Sequence, residues 1–269
     1  MPDQSPEQIP DTKLLLLSLD FNDQDVDSTG NHNSDATGIG LTWVQYSPLA
    51  QTALLDISNG NSWNGNDSIW HDLTPFGSDG TVIGDISMAG NDPNGGQSLD
   101  FGTNGFLQFS NNNPLSTCAD KVPAASINFW IKFYPPGHHA QIGGCRQSNG
   151  ASFYLLILHN GYTEARLVTN GSSFDININY APYFNSWHFV SFVAQPSRTD
   201  LYIDGKHVGD NPNVYGTFNT ITDFHLGSNQ GLSYHADYTL MGYCSVYDRS
   251  LSPAEVRAEY DNTKAYYGY

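Results

Sequence analysis

Past residue 12 the chain alternates short apolar runs with clusters of Gly, Asn and Asp, the pattern of many short strands joined by tight connections. The clearest run is Ser126 to Phe133. Side chains alternate across a strand, so Ile127, Phe129, Ile131 and Phe133 share one face and Asn128, Trp130 and Lys132 the other. Ser152 to His159 is a near-continuous apolar strand expected at the centre of a sheet. Glu164 to Thr169 follows, then Phe174 to Tyr180, with Phe174, Ile176, Ile178 and Tyr180 on one face. After Trp187 to Ala194, the strand Asp200 to Ile203 meets Asp204-Gly205, a two-residue hairpin signal, because a type I′ turn needs positive φ at both positions. Lys206 to Gly209 is the return strand, and Phe224 to Gly227 and Thr239 to Tyr247 complete the set. One helix is predicted: Ser252-Pro253-Ala254-Glu255 supplies an N-cap, a proline at the first helical position and a capping-box glutamate. Val256 and Tyr260 share its buried face, and it ends near Asn262.

These elements predict an all-β fold: a sandwich of short strands with one short C-terminal helix. Its inward face is expected to carry Phe129, Ile131, Leu156, Phe189 and Leu201 or their alternates. Residues 1–12, with three prolines and no periodicity, read as an extended arm, 13–48 as an N-terminal β segment packing on or extending the sandwich, and 49–269 as the sandwich domain. A faint echo links Leu16-Leu17-Ser18-Leu19-Asp20 to Ala53-Leu54-Leu55-Asp56, so two strand-like openings compete for one edge of the sandwich.

Composition narrows the function. With 10 Lys+Arg against 27 Asp+Glu, the net charge is −17, which argues against nucleic-acid binding because phosphate contacts need clustered cations. The 35 aromatics (5 Trp, 16 Tyr, 14 Phe) supply a core and exclude disorder. No segment approaches the ~20 apolar residues needed to span a bilayer, so membrane insertion is not expected. The longest N-terminal apolar run, Leu14 to Leu17, follows an acidic, Pro-rich stretch unlike a secretory signal, and synthesis in a reducing cytosol is expected. The three cysteines, Cys118, Cys145 and Cys244, lack a C-x-x-C spacing and read as buried free thiols, with a single disulfide left open.

The runs WHFVSFVAQPSRTDLYIDGKHVG (187–209), ITDFHLGSNQG (221–231) and YTLMGYCSVYDRSLSPAEV (238–256) resemble, in order, the laminin-G/pentraxin type of concanavalin A-like domain. SLDFGTNGFLQF (98–109) and ASINFWIKF (125–133) fit the upstream strands of that family. The opening at 53–82 looks like the start of phage-type versions. Together the resemblance covers roughly residues 49–269 and implies an all-β, two-sheet antiparallel jelly-roll sandwich of the concanavalin A-like type, with 49–269 as the laminin-G-like jelly-roll domain.

Some relatives on this fold are glycoside hydrolases, which need two carboxylates roughly 5–9.5 Å apart across the scissile bond. No strand here holds an E-x-D-x-E set; Glu7 and Glu164 stand alone, and Glu255 and Glu259, four apart on the helix, read as a solvated face. G-x-S-x-G, H-E-x-x-H and P-loop motifs are absent. His138-His139 reads as an exposed loop pair, His188 as a packing residue and Asp204 as a turn residue, so no catalytic residue is assigned and the chain is expected not to be an enzyme.

The resemblance also bears on calcium. The pentraxin Asp-Asn pair falls on Thr103-Asn104 and the acidic loop on Asn229-Gln230-Gly231, so the carboxylates of that site are lost. A hard cation wants several anionic oxygens, and Asp100, Asp223 and Asp237 are the acids left to build a weaker site, so no cofactor is required and calcium stays open. Sugar sites combine an aromatic platform with amides and carboxylates. Three loop sets qualify: Trp63 with Asn59, Asn61 and Asn64; Tyr234 with His235 and Asp237; and Tyr183 with Asn185. The candidate binding residues are thus Trp63, Asn104, Asn229, Tyr234 and Asp237. The leading expectation is a non-catalytic, lectin-like module on a phage virion surface (capsid decoration, fibre or spike subunit) contacting glycans or neighbouring virion proteins. The Pro-rich arm and the aromatic tail Tyr266-Tyr267-Gly268-Tyr269 suit attachment to a larger assembly. Alternatives are a structural module forming a homo-oligomer without a ligand, and a glycoside hydrolase of the same fold.

Overall fold

A computed structural model describes residues 51–56, 62–90, 98–109, 113–116, 124–134, 140–147, 152–157, 162–169, 172–212, 221–228, 236 and 239–269. The chain divides into two units, Met1–Pro48 and Leu49–Tyr269, and every described residue lies in the second. The expected N-terminal arm and the 13–48 segment therefore fall outside the described residues.

In chain order the strands are β1 (Gln51–Asp56), β2 (Ile69–Trp70), β3 (Gly80–Ile83), β4 (Ser87–Ala89), β5 (Ser98–Asp100), β6 (Phe106–Phe109), β7 (Ala125–Phe133) and β8 (Ala140–Gln147). There follow β9 (Ser152–Ile157), β10 (Tyr162–Thr169), β11 (Ser172–Asn179), β12 (Trp187–Ala194), β13 (Thr199–Ile203), β14 (Lys206–Asn211), β15 (Ile221–Leu226) and β16 (Thr239–Tyr247), then the helix α1 (Pro253–Thr263). They form two antiparallel sheets. The first runs β14-β13-β12-β7-β16-β5-β4, and the second β11-β10-β9-β8-β15-β6-β3-β2. This is the all-β sandwich with one short C-terminal helix that the hydrophobic pattern predicts.

The contested edge belongs to the second of the two echoing segments. β5 pairs with β16 only at Leu240 and Met241, and β1 takes over from Tyr243 to Tyr247, with Leu54 opposite Ser245 and Leu55 opposite Cys244. The first echo, at residues 14–20, lies outside the described residues.

Period-two alternation sorts β7 as predicted. Ile127, Phe129, Ile131 and Phe133 enter the core between the sheets, where they meet Val190, Phe192 and Leu201. Trp130 faces the other way and is nonetheless fully buried, because α1 and the C-terminal residues cover the outer face of the first sheet. Phe189 corrects the expected core list. It is paired directly with Trp130, and directly paired residues project to the same face, so Phe189 lies outside with the tryptophan, their rings 5.7 Å apart. Both faces of β12 are apolar, so alternation alone could not orient it. The side chain of Leu156 lies outside the described residues.

The helix starts where predicted. Ser252 Oγ accepts from Glu255 N at 3.3 Å, and Ser252 N donates back to Glu255 Oε2 at 2.8 Å. Ser126 Oγ accepts from Leu251 N and donates to Arg249 O, both at 2.9 Å, which ties the helix entry to the start of β7. Val256 and Tyr260 are buried, and α1 ends at Thr263. The aromatic tail packs back on the first sheet. Tyr267 is 4% exposed and stacked on Trp130 at 4.2 Å and 12°, while Tyr269 donates to the Trp187 carbonyl.

Glu259 is a second correction. Its carboxylate is buried against the sheet, where Oε1 accepts from Tyr243 (2.9 Å) and Ser245, and Oε2 from Asn128 (2.9 Å) and Tyr247 (3.0 Å). Burial pushes its pKa above the usual carboxylate range, although these four bonds pull the other way. Glu255, at the solvated end, fares oppositely. Partial burial pushes it up, but bonds from Arg249 and Ser252 outweigh that and hold it at about 2. Cys145 and Cys244 are free and buried, as expected; Cys118 lies outside the described residues.

Candidate functional site

One end of the first sheet is built from segments far apart in sequence. The register runs from Asp100 to Leu240, then Lys132, then Trp187, so the end of β5, the starts of β16 and β12 and the end of β7 lie level. The β13–β14 turn reaches the same level, since Asp204 N donates to Phe189 O at 2.8 Å.

At one side of this rim, Asp204 and Gly205 adopt φ of 52° and 68°, the pair of positive angles the Asp-Gly signal predicts. The turn aims the Asp204 carboxylate back at β12: Oδ1 accepts from Phe189 N at 3.1 Å and Oδ2 lies 2.8 Å from His188 Nδ1. Two tyrosines flank the imidazole. Tyr183, from the short 3-10 turn Ala181–Tyr183, stands perpendicular to it with centroids 5.0 Å apart, and Tyr269, from the tail, lies at 6.1 Å. Asn185 is exposed in the left-handed region at φ 65°, and its amide nitrogen is anchored to Phe133 O at 2.9 Å. Behind Tyr183, at 5.3 Å, sits Tyr180, whose hydroxyl is buried without a partner. Burial, then the negative charge of Asp204, pushes that phenol far above its ordinary range, and the same two causes raise Tyr269.

This slot contains one of the aromatic–amide pairs expected from sequence, Tyr183 with Asn185. His188, Asp204 and Tyr269 were missed as site residues. The W-H and D-G dipeptides signal the first two, but nothing local signals that the last residue folds back to meet them.

The remaining sequence candidates lie elsewhere. Trp63 is corrected: it is 4% exposed within the core and its Nε1 donates to Asp67 O at 2.8 Å, so its ring offers no platform. Asn104 is exposed on the same rim as the slot, but four strand spacings, ~19 Å, separate β5 from β13. There Asn104 donates to Thr103 Oγ1 at 3.2 Å, and Thr103 to Asp85 Oδ2 at 3.4 Å, so a carboxylate from Asp85 reaches this pair. Asp100 and Asp223 do not converge. Asp100 Oδ1 accepts from Gly102 N at 2.9 Å in one sheet, whereas Asp223 lies in the other. A Cβ built on Gly227 would strike the Phe101 ring, and Gly227 is four positions, about 13 Å of extended chain, beyond Asp223. Among the described residues no group of three or more His, Cys, Asp or Glu is arranged to hold a metal ion. Asn229, Tyr234 and Asp237 lie outside the described residues.

The other well-buried acids are engaged internally. Asp200 is fully buried and accepts from Arg198 Nε and His207 Nε2, each at 2.9 Å, and Glu259 is held by its four donors. Among the described residues no helix is long and apolar enough to cross a membrane.

Solved structures share the fold at low identity. The botulinum neurotoxin serotype D binding domain superposes with a TM-score of 0.62 at 14% identity, over 80% of this chain and 52% of that one. The binding domain of botulinum neurotoxin DC in complex with SialylT gives 0.59 at 16% identity, over 80% and 51%. The chain thus spans about half the length of these toxin domains. Domain 4 of AbnA, a GH43 extracellular arabinanase from Geobacillus stearothermophilus, in complex with arabinotriose, gives 0.60 at 16% identity, over 77% of this chain and 97% of that domain. Among curated proteins no match is found. Residues 101–257, more than half of the chain, match the Laminin_G_3 family, and the chain therefore belongs to the concanavalin A-like lectin/glucanases superfamily.

Proposed function

We propose that this chain is a non-catalytic, lectin-like module that binds glycans at the rim of its first sheet. The observation that carries this reading is the slot at Tyr183, Asn185, His188 and Asp204, where half-exposed aromatic rings stand beside an amide, an imidazole and a carboxylate. Sugars are held by this combination: ring faces pack on C–H surfaces, and a few placed polar groups fix orientation. Two similar folds, the neurotoxin DC binding domain and the arabinanase domain, were solved with saccharides bound. A binding rather than a hydrolytic role is favoured because the carboxylates of Asp200, Asp204 and Glu259 are each engaged by internal donors instead of facing one another across a cleft.

In the finer reading the module is carried on a phage virion surface, as a decoration, fibre or spike subunit. The support is the likeness of residues 53–82 to phage-type versions of the domain. A glycan array tests the binding, and mass spectrometry of purified particles tests the location. Binding to at least one glycan class and recovery from particles are the expected outcomes. A blank array rejects the lectin reading, hydrolysis of any bound glycan rejects the non-catalytic one, and absence from particles rejects the virion role.

A further inference from the structure

The Asp204–His188 pair fixes more than an orientation. A carboxylate can only accept hydrogen bonds, and both Asp204 oxygens are occupied, Oδ1 by Phe189 N at 3.1 Å and Oδ2 by His188 Nδ1 at 2.8 Å. The proton of a neutral His188 must therefore sit on Nδ1, which leaves Nε2 as an acceptor. Among the described residues the only hydrogen bond seen at this ring is the one through Nδ1, and the side chain keeps 11% of its surface open to solvent. The imidazole that carries this acceptor packs beside two tyrosine rings, with centroids 5.0 and 6.1 Å from its own. The connector that supplies Tyr183 also supplies the exposed Asn185, three residues before His188, so the same rim segment carries side-chain donors. The buried, unpartnered Tyr180 hydroxyl behind Tyr183 leaves a further polar group unsatisfied at the back of the same cluster.

We propose that the slot reads a vicinal diol of a saccharide: one hydroxyl donates to His188 Nε2, its neighbour accepts from the connector donors Tyr183 and Asn185, and the Tyr183 ring packs on the sugar's C–H face. This rests on the glycan-binding reading above and adds the ligand chemistry. His188 is the specificity-determining residue, and Asp204 is a positioning residue that sets its tautomer. A site built around a hydrogen-bonding group rejects analogues that lack the matching group, because its own polar atoms are then left unpaired.

The test uses the full chain and a panel of neutral trisaccharides (arabinotriose, mannotriose, cellotriose), each beside its fully O-methylated form, titrated calorimetrically. At least one unmodified trisaccharide binds, and its methylated form binds at least ~10-fold more weakly. His188→Asn keeps an N–H where Nδ1 stood, and so the bond to Asp204, but removes the outer acceptor. It loses at least ~10-fold in affinity while its circular dichroism stays that of the folded wild type, and Tyr183→Ala loses affinity likewise. In Asp204→Asn the amide can donate to Nδ1, so the imidazole 15N spectrum of His188 changes from an Nδ1–H to an Nε2–H pattern. Undiminished binding by His188→Asn or by the methylated sugar overturns the diol assignment while leaving the lectin reading standing, as does a wild-type spectrum with the proton on Nε2. Failure of the wild-type chain to bind any panel member, together with a blank glycan array, overturns both.

Discussion

The two faces of the first sheet are buried by different means. Between the sheets, Phe129, Ile131, Phe192 and Leu201 belong to one apolar cluster, and non-directional burial holds the layers together. Outside, Trp130, Phe189, Tyr260 and Tyr267 form an aromatic stack crossed by directional bonds: Trp130 Nε1 donates to Thr263 Oγ1 at 2.7 Å, and four donors converge on Glu259. A sheet can shed its inner apolar face against any matching layer. A single 11-residue helix offers too little apolar area to fix its own position, so polar pins set its register on the sheet.

If that contrast is right, the inner face should be the more sensitive to volume. Phe129→Ala should cost about 3–5 kcal/mol in urea-induced unfolding, from lost burial plus the cavity left behind. Next comes the outer pin: Glu259→Ala strips four donors of a shared acceptor and should cost about 2–3 kcal/mol, with the loss visible as earlier proteolysis of the C-terminal segment. An unchanged cleavage pattern would mean that aromatic stacking alone seats the helix. Ser252→Ala removes the capping box and should cost about 1 kcal/mol, readable as a small fall in the same urea midpoint.

The finest comparison is between the two glutamates of the helix. The folded pKa of Glu259 lies above its unfolded one, so the folded chain holds that proton more tightly. Its contribution to stability is complete below the unfolded value and declines as pH rises through the folded value. Glu255 is depressed to about 2, so its contribution is complete above the unfolded value and is lost as pH falls toward about 2. Urea midpoints of the wild type and Glu259→Gln, measured from about pH 4 to about pH 8, should show the wild type losing ground to the variant as pH rises. Parallel curves would place the Glu259 carboxylate in water.

What was legible in the sequence was what neighbours in sequence decide. The Asp204-Gly205 turn, the Ser252 cap and the alternation in β7 are each written within a few residues, and all three appear as read. The face of Phe189 was not legible, because a strand apolar on both sides carries no alternation; only its pairing with Trp130 decides it. Nor was the inward turn of Glu259, since a glutamate four residues from another on a helix looks solvated until Tyr243, Ser245 and Tyr247 are known to lie beneath it. The slot was half legible. Tyr183 and Asn185 are near neighbours, but His188, Asp204 and Tyr269 join them only through strand register and the returning tail.

Gly242 ties the far ends of this design together. A Cβ built there would lie 2.4 Å from the Tyr267 hydroxyl, so the aromatic that leads to Tyr269 can rest on the sheet only because one mid-strand position is bare. A methyl group at residue 242 would lift the last turn of the chain and draw Tyr269 away from the His188 ring, although no atom of residue 242 need come near either.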